Sequence, residues 1–158
     1  MLGRKKKKAL VVYHTRTGHT ASAAGAVAKG LESAKVDVVV KPVGEVSRED
    51  LADCTILAVG SPTRNGRPAR VVKKFLRGLE RKALKGKTTA PFTSYAAFRG
   101  KAALRRMRRL LRRRKAKRVL KGVAVKAGAP LSLWKGPEAS PEDVERLEGL
   151  GRELARRS

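Results

Sequence analysis

The sequence predicts one α/β domain: a three-layer, doubly wound sandwich around a five-stranded parallel sheet in the order 2-1-3-4-5. Two observations carry this. Five short apolar runs alternate with segments of helical period, the pattern of repeated βα units with helices on both sheet faces. The length, 158 residues with 41% apolar side chains, suits one full core and leaves no room for a second. Right-handed crossovers then leave few topologies. In the 2-1-3-4-5 order the ligand site lies at the carboxyl ends of the strands, at the switch point.

Each element has its own signal. Lys8 to Tyr13 (KALVVY) reads as a buried strand and Thr20 to Ser33 as a small-residue helix. Val36 to Val40 (VDVVV) is the second strand, and Val46 to Ala52 a short helical turn with Ser47 as its N-cap. Thr55 to Gly60 (TILAVG) is the third strand, followed by a helix over Pro68 to Arg81 with Pro near its start. Lys87 to Thr93 is a weaker fourth strand, because Pro91 cannot donate to a ladder. Lys101 to Lys115 is a helix and Val119 to Val125 (VLKGVAV) the fifth strand. Ser140-Pro141-Glu142-Asp143 is a helix start with cap, proline and first-turn acids, opening a helix that runs to about Arg156. The expected organisation is a basic arm, 1–7, and a single domain, 8–158.

Composition narrows the function. The formal net charge is +26, from 39 Lys and Arg against 13 Asp and Glu. That balance implies a polyanionic partner, either a nucleic acid, an anionic surface or an acidic protein. The one cysteine, Cys54, excludes an internal disulfide and a multi-cysteine metal site, and its place before an apolar run suits burial. No apolar run approaches the ~20 residues that span a bilayer. The run Ala9 to Tyr13 is too short for a secretion signal, so a cytoplasmic location is expected. Gln is absent and Asn65 is the only Asn, a thermophile tendency; the low acid content departs from that pattern, so thermal adaptation alone does not explain the charge.

The chemistry-bearing segment is His14 to Thr20, HTRTGHT. It joins a buried strand to a helix. Thr15, Thr17 and Thr20 offer hydroxyls, Gly18 permits close backbone approach, and the helix N-terminus adds free N–H groups and a positive dipole end. Arg16 and His19 complete the loop. Together these suit a phosphate cradle, the alternative being an ordinary strand-to-helix turn with a threonine cap.

Thr15-x-Thr17-Gly18-x-Thr20 matches in full the T-x-T-G-x-T motif of the flavodoxin-like family, which the chain resembles. Gly18-His19-Thr20 is similar to the variant used by quinone-reductase-like flavodoxins. Gly60-Ser61-Pro62-Thr63-Arg64, with Asn65 and Gly66, resembles the family's second flavin loop, and Phe75-Leu76 also matches. Thr93-Ser94-Tyr95 resembles the third flavin loop more weakly. The likeness runs from about Lys8 to Arg157. It implies non-covalent FMN, with the phosphate on the first loop and the ring between the second and third. It also implies electron transfer, as a carrier or a small FMN-dependent oxidoreductase. Two departures stand out. The family often has an aromatic ring where this chain has Asn65, leaving Tyr95, Phe98 and Trp134 as nearby rings; packing against the last helix is the stronger claim on Trp134. Family members are typically acidic, whereas Arg16, Arg64 and Arg67 surround this site. His19 reads either as a phosphate donor or pH sensor or as an exposed loop residue. Neither His14 nor His19 has metal-site partners, and no nucleophile–base pair is legible.

Charge is concentrated. Residues 81 to 137 hold 19 Lys and Arg and no acid. Arg70, Lys73, Lys74, Arg77 and Arg81 fall at helical spacing on one stripe, with Val71, Phe75, Leu76 and Leu79 on the core side. Arg105, Arg108, Arg109 and Arg112 form a second stripe, broadened by Arg106 and Arg113. The topology sets these helices side by side. A charge run is usually a solvated face, but like charges at i,i+4 destabilise a helix and nothing in the stripes offsets that, so an external anion is expected. Arginine favours bidentate phosphate contacts, and no aromatic array suits single-strand stacking, so structured RNA or a duplex backbone fits better. Two functions remain open from the sequence: an FMN-binding redox protein with a basic docking face for RNA or an acidic protein, and a nucleic-acid-binding protein, ribosome-associated, with no redox role. A peripheral membrane role is weaker, as no apolar patch is available to insert.

Overall fold

The computed structural model describes residues 6–96, 99–126 and 140–158. The chain order is β1 (Lys8–Tyr13), α1 (His19–Ser33), β2 (Asp37–Pro42), a 3-10 turn (Val43–Glu45), α2 (Arg48–Asp53), β3 (Ile56–Arg64), β4 (Arg67–Pro68), α3 (Arg70–Arg77), β5 (Thr88–Tyr95), α4 (Gly100–Arg113), β6 (Arg118–Val119), β7 (Val123–Lys126) and α5 (Pro141–Arg157). The strands lie in the order β2-β1-β3-β5-β6, with β7 continuing beside β5. That is the doubly wound parallel order expected, and β4 adds a short antiparallel pairing at the end of β3.

Helices α1 and α5 cover one sheet face, with Val27, Leu31, Leu147 and Leu154 fully buried between them and the strands. Helices α2, α3 and α4 cover the other through Leu76, Met107 and Leu111. The central strands are therefore buried on both faces, as parallel sheets require. Where α1 meets α5 the backbones nearly touch. A Cβ at Gly30 would run into the Glu148 carbonyl, and one at Gly151 into that of Val27.

Pro91 does sit inside a buried strand, and the fifth strand adjusts to it. Thr89 pairs with Val119 and Phe92 with Val123, so Ala90 and Pro91 face three residues, Leu120 to Gly122. The expected single strand Val119 to Val125 is thus two pieces, β6 and β7, around a one-residue bulge. Pro91 has no N–H to offer there, and Gly122, at φ 86°, lets the chain pass against the Pro91 carbonyl. Two threonine hydroxyls of β5 are paired internally: Thr89 Oγ1 donates to the Arg118 carbonyl at 2.8 Å and Thr93 Oγ1 to that of Ser61 at 2.6 Å.

Several boundaries differ from the sequence reading. The second strand is shifted to Asp37–Pro42 and is an edge strand, with Val39 and Val40 exposed. The helix expected over Pro68 to Arg81 is only Arg70–Arg77, closed at Gly78, whose N–H bonds the Lys74 carbonyl at 2.9 Å. Pro68 belongs to β4, and Arg81 lies in the turn beyond, off the helical stripe. Val72 and Leu76 are its buried residues, while Val71 is 39% exposed. Packing on the sheet selects the Val72–Leu76 face. Ser47 caps α2 as expected, in a reciprocal box with Asp50. Within the basic arm, Lys6 pairs with Asp37 at 3.0 Å, and Lys7 donates to the Ala155 and Ser158 carbonyls at the C-terminal end of α5. Residues 1–5 lie outside the described residues, as do Phe98 and Trp134.

Candidate functional site

The first loop leaves β1 at Tyr13, and the His14 N–H bonds the Gly60 carbonyl at 3.1 Å. The Gly18 N–H bonds Thr15 Oγ1 at 2.9 Å, which leaves the Thr15 hydroxyl hydrogen to donate outward. Gly18 is the N-cap of α1 at φ 92°, with no side-chain cap and no acid in the first turn. The helical ladder begins with Ser22 N–H to the Gly18 carbonyl at 3.0 Å. The N–H groups of His19, Thr20 and Ala21 therefore precede it. Nothing stands within 4 Å of where a Cβ of Gly18 would be, and His19 Nδ1 is buried with no partner among the described residues. Free donors, a positive dipole end, open space and an orphaned ring nitrogen are the donor set that a phosphate needs.

Arg16 and Thr17 are exposed at the rim of this loop. Thr20 is not: it is 1% exposed, and its hydroxyl shares a buried 2.9 Å hydrogen bond with Ser94 Oγ. That bond ties the first loop to the end of β5.

The second loop is more ordered than its composition suggests. Ser61 to Arg64 are strand, not loop, because β3 continues beside β5 as far as Pro62 paired with Ser94. Beyond that, Arg64 pairs with Arg67 across Asn65 and Gly66, at φ 49° and 75°. Two positive φ values in a two-residue hairpin are the type I′ pattern, and Asn-Gly is its strongest sequence signal. Where the family resemblance expects a stacking ring at Asn65, the hairpin explains the residue by its backbone. Ser61 Oγ accepts from the Ala69 N–H at 2.7 Å and donates to the Pro62 carbonyl at 2.9 Å, and Thr63 Oγ1 lies 2.6 Å from Thr93 Oγ1. These bonds hold Pro62 to Gly66 at the sheet's carboxyl edge, with Arg64 and Asn65 exposed. Tyr95 is half-buried at the end of β5 and leans on Gly100, where a Cβ would come within 2.6 Å of its ring.

The basic residues separate into two grooves flanking α4. Between α3 and α4 lies a groove of about 340 Å³ lined by Arg67, Lys73, Arg77, Arg106, Arg109 and Arg113 with Leu110. On the outer side of α4, a cleft of about 880 Å³ is bordered by Lys101, Arg105, Arg108, Lys121, Arg146 and Tyr95, among others. The expected single stripe Arg105, Arg108, Arg109, Arg112 is thus divided: Arg109 faces α3, and Arg105 and Arg108 face the sheet edge. Arg70, Lys74, Arg81 and Arg112 are exposed and line neither groove.

Some of the charge has partners inside the protein. Arg108 donates to the Lys121 carbonyl at 2.9 Å; partial burial, then Arg112 and Arg105 beside it, push its pKa below the ordinary guanidinium value. Arg114 closes the C-terminal end of α3, donating to the Leu76 and Arg77 carbonyls at 3.0 and 2.6 Å, where a cation meets the negative end of the helix dipole. The sequence assigns Arg114 no role; its place two residues beyond Arg112, the last of the α4 stripe, is the only trace of it. Cys54 is buried, and desolvation pushes its thiol pKa up. Its carbonyl accepts from the buried Lys87 ammonium. Among the described residues no group of His, Cys, Asp and Glu could hold a metal, and no helix is long and apolar enough to cross a membrane.

Comparison with known proteins agrees with this geometry. A flavodoxin from Aquifex aeolicus is 44% identical over 69 residues, covering 43% of this chain and 37% of the relative. An NAD(P)H dehydrogenase (quinone) from Caulobacter vibrioides is 35% identical over 117 residues, covering 59% of each. The chain thus spans between about a third and three fifths of the curated relatives it matches. Among solved structures, an archaeal flavodoxin superposes with a TM-score of 0.80 at 26% identity, covering 95% of this chain and 97% of the other. Flavodoxin 2 from Bacillus cereus gives 0.79 at 25%, covering 96% and 99%. The family model described as Flavodoxin matches residues 11–135, most of the sheet and all three loops, so the chain belongs to the flavodoxin family.

Proposed function

We propose that this protein binds FMN and works in electron transfer, and that its basic face docks a polyanion. The observation that carries the first part is the uncapped start of α1. There an open glycine N-cap, three N–H groups ahead of the ladder and an unpartnered His19 Nδ1 converge. Members of the flavodoxin family bind FMN, and the residues present suit its phosphate. Thr15 and Thr17 supply hydroxyl donors, the α1 N-terminus supplies backbone donors, and His19 supplies a ring N–H in the appropriate tautomer. Thr20 and Ser94 hold the first loop against the third. The hairpin at Asn65-Gly66 and the Tyr95 end of β5 would border the ring.

When bound, FMN supplies one- or two-electron redox chemistry, and the polypeptide supplies binding and electrostatics. Arg16, Arg64 and Arg67 set a positive field at this end of the sheet. A positive field favours the anionic reduced flavin and raises its potential relative to an acidic member of the family. Purified protein should be yellow, or become so when FMN is added to it. Colourless protein that gives no flavin absorbance after reconstitution would sink this reading.

A second reading is a nucleic-acid-binding protein with no redox role, ribosome-associated or otherwise engaged with structured RNA. The α3–α4 groove favours it, since six cations line one groove without a carboxylate among the lining residues. Salt-sensitive RNA binding by flavin-free protein would select it.

A further inference from the structure

We propose that α4 is a ridge that seats in the major groove of double-stranded DNA, with the cations on its two flanks meeting the phosphates of the two strands. The inference rests on the docking-face part of the reading above and gives that face a ligand.

Three features of the surface carry it. First, the charge is arranged in two rows with a helix between them. The α3–α4 groove presents six cations, and the outer cleft adds Lys101, Arg105, Arg108 and Lys121. None of these ten is ion-paired within the described residues. Second, the spacing suits a duplex. A helix with its side chains is about 10–12 Å across, and the major groove of B-form DNA is about 12 Å wide. On its outer side α4 borders a cleft whose far wall includes Lys121, Gly122 and Ala124 at the sheet edge, so among the described residues the helix has a groove on each flank. Third, the charge matches in number. α4 has 14 residues and so runs about 21 Å; a duplex of that length carries roughly 12 phosphates at one per ~1.7 Å.

Other polyanions fit less well. A single strand offers one row of phosphates and relies on stacking rings, and among the described residues Tyr95 is the one aromatic side chain lining either groove. Duplex RNA has a deep, narrow major groove that does not admit a helix. An acidic protein face has no inherent two-row spacing. The long arginines reach backbone phosphates and require no particular sequence, so binding should be strong in charge and weak in base preference.

The test is fluorescence anisotropy of a labelled random-sequence 20-bp DNA duplex with the full chain, titrated at several salt concentrations. FMN content is measured on every sample. Affinity should fall about 10³-fold or more between 50 and 200 mM salt if six or more phosphates are engaged. Two triple variants probe the two rows: Arg106→Gln/Arg109→Gln/Arg113→Gln and Lys101→Gln/Arg105→Gln/Lys121→Gln. All six residues are exposed and lie outside the flavin loops, so folding and flavin content should hold. Each triple should weaken binding and flatten the log–log salt slope by about 2.7, three contacts at ~0.9 each. The proposal is overturned if one triple has no effect, or if single-stranded DNA or duplex RNA competes as well as duplex DNA. Binding of poly-glutamate without binding of the duplex overturns it while leaving the docking face in place. Binding of no polyanion removes both.

Discussion

Replacing Thr20 with valine removes one hydroxyl and keeps the side-chain shape. In the folded protein that hydroxyl lies 2.9 Å from Ser94 Oγ, and the two residues are 1% and 5% exposed. Ser94 Oγ has no other partner among the described residues, so Thr20→Val strands a buried polar group. The cost of leaving such a group unsatisfied is about 1–3 kcal/mol. For a chain of this length, each kcal/mol moves Tm by roughly 2–4 °C, so Tm should drop by about 2–12 °C. Ser94→Ala should do the same to Thr20. Removing both partners leaves nothing stranded, so the double variant should be more stable than the sum of the single losses, with a coupling of about 0.5–3 kcal/mol. Urea and thermal melts of the four proteins complete the cycle. FMN affinity, followed by flavin fluorescence, should weaken in both single variants, because the bond ties the phosphate loop to the end of β5. Additive single losses, or a Thr20→Val protein as stable as the parent, would refute the reasoning.

Gly30→Ala should destabilise the fold by about 1–3 kcal/mol, since its Cβ meets the Glu148 backbone. Gly25→Ala in the same helix meets nothing within 4 Å and should instead stabilise by up to about 1 kcal/mol; equilibrium unfolding of the pair separates close packing from helix propensity. Asp50 is held below its usual pKa of 3.8, first by the Lys41 side chain and then by the Ser47 backbone N–H. A lowered folded-state value means its contribution is fully present above the unfolded value and is lost as pH falls through the folded one. Asp50→Asn should therefore lower Tm at pH 7, and the gap to the parent should close as both are acidified through the lowered folded-state value. Buried Cys54, with its thiol pKa raised by desolvation, should react with a thiol reagent far more slowly in native buffer than in denaturant. Equal rates would contradict its burial.

Local patterns in the chain were enough for much of this architecture. The run KALVVY is β1 to the residue, because four consecutive apolar side chains buried on both faces leave no other role. Ser140-Pro141-Glu142-Asp143 starts α5, with Ser140 Oγ accepting from the Asp143 N–H at 3.1 Å, because capping is a short-range bond. The phosphate loop is legible for the same reason, and so is the Asn65-Gly66 hairpin, since Asn-Gly is a turn signal by itself. Tertiary structure decided what depends on neighbours distant in sequence. It broke the fifth strand opposite Pro91, chose Val72 over Val71 for the core, paired Thr20 with Ser94 and placed Arg114 on the end of α3. It also parted the arginines into two grooves. Helical spacing tells which residues share a face of α4, but α3 and the sheet edge determine what each side of that face looks onto.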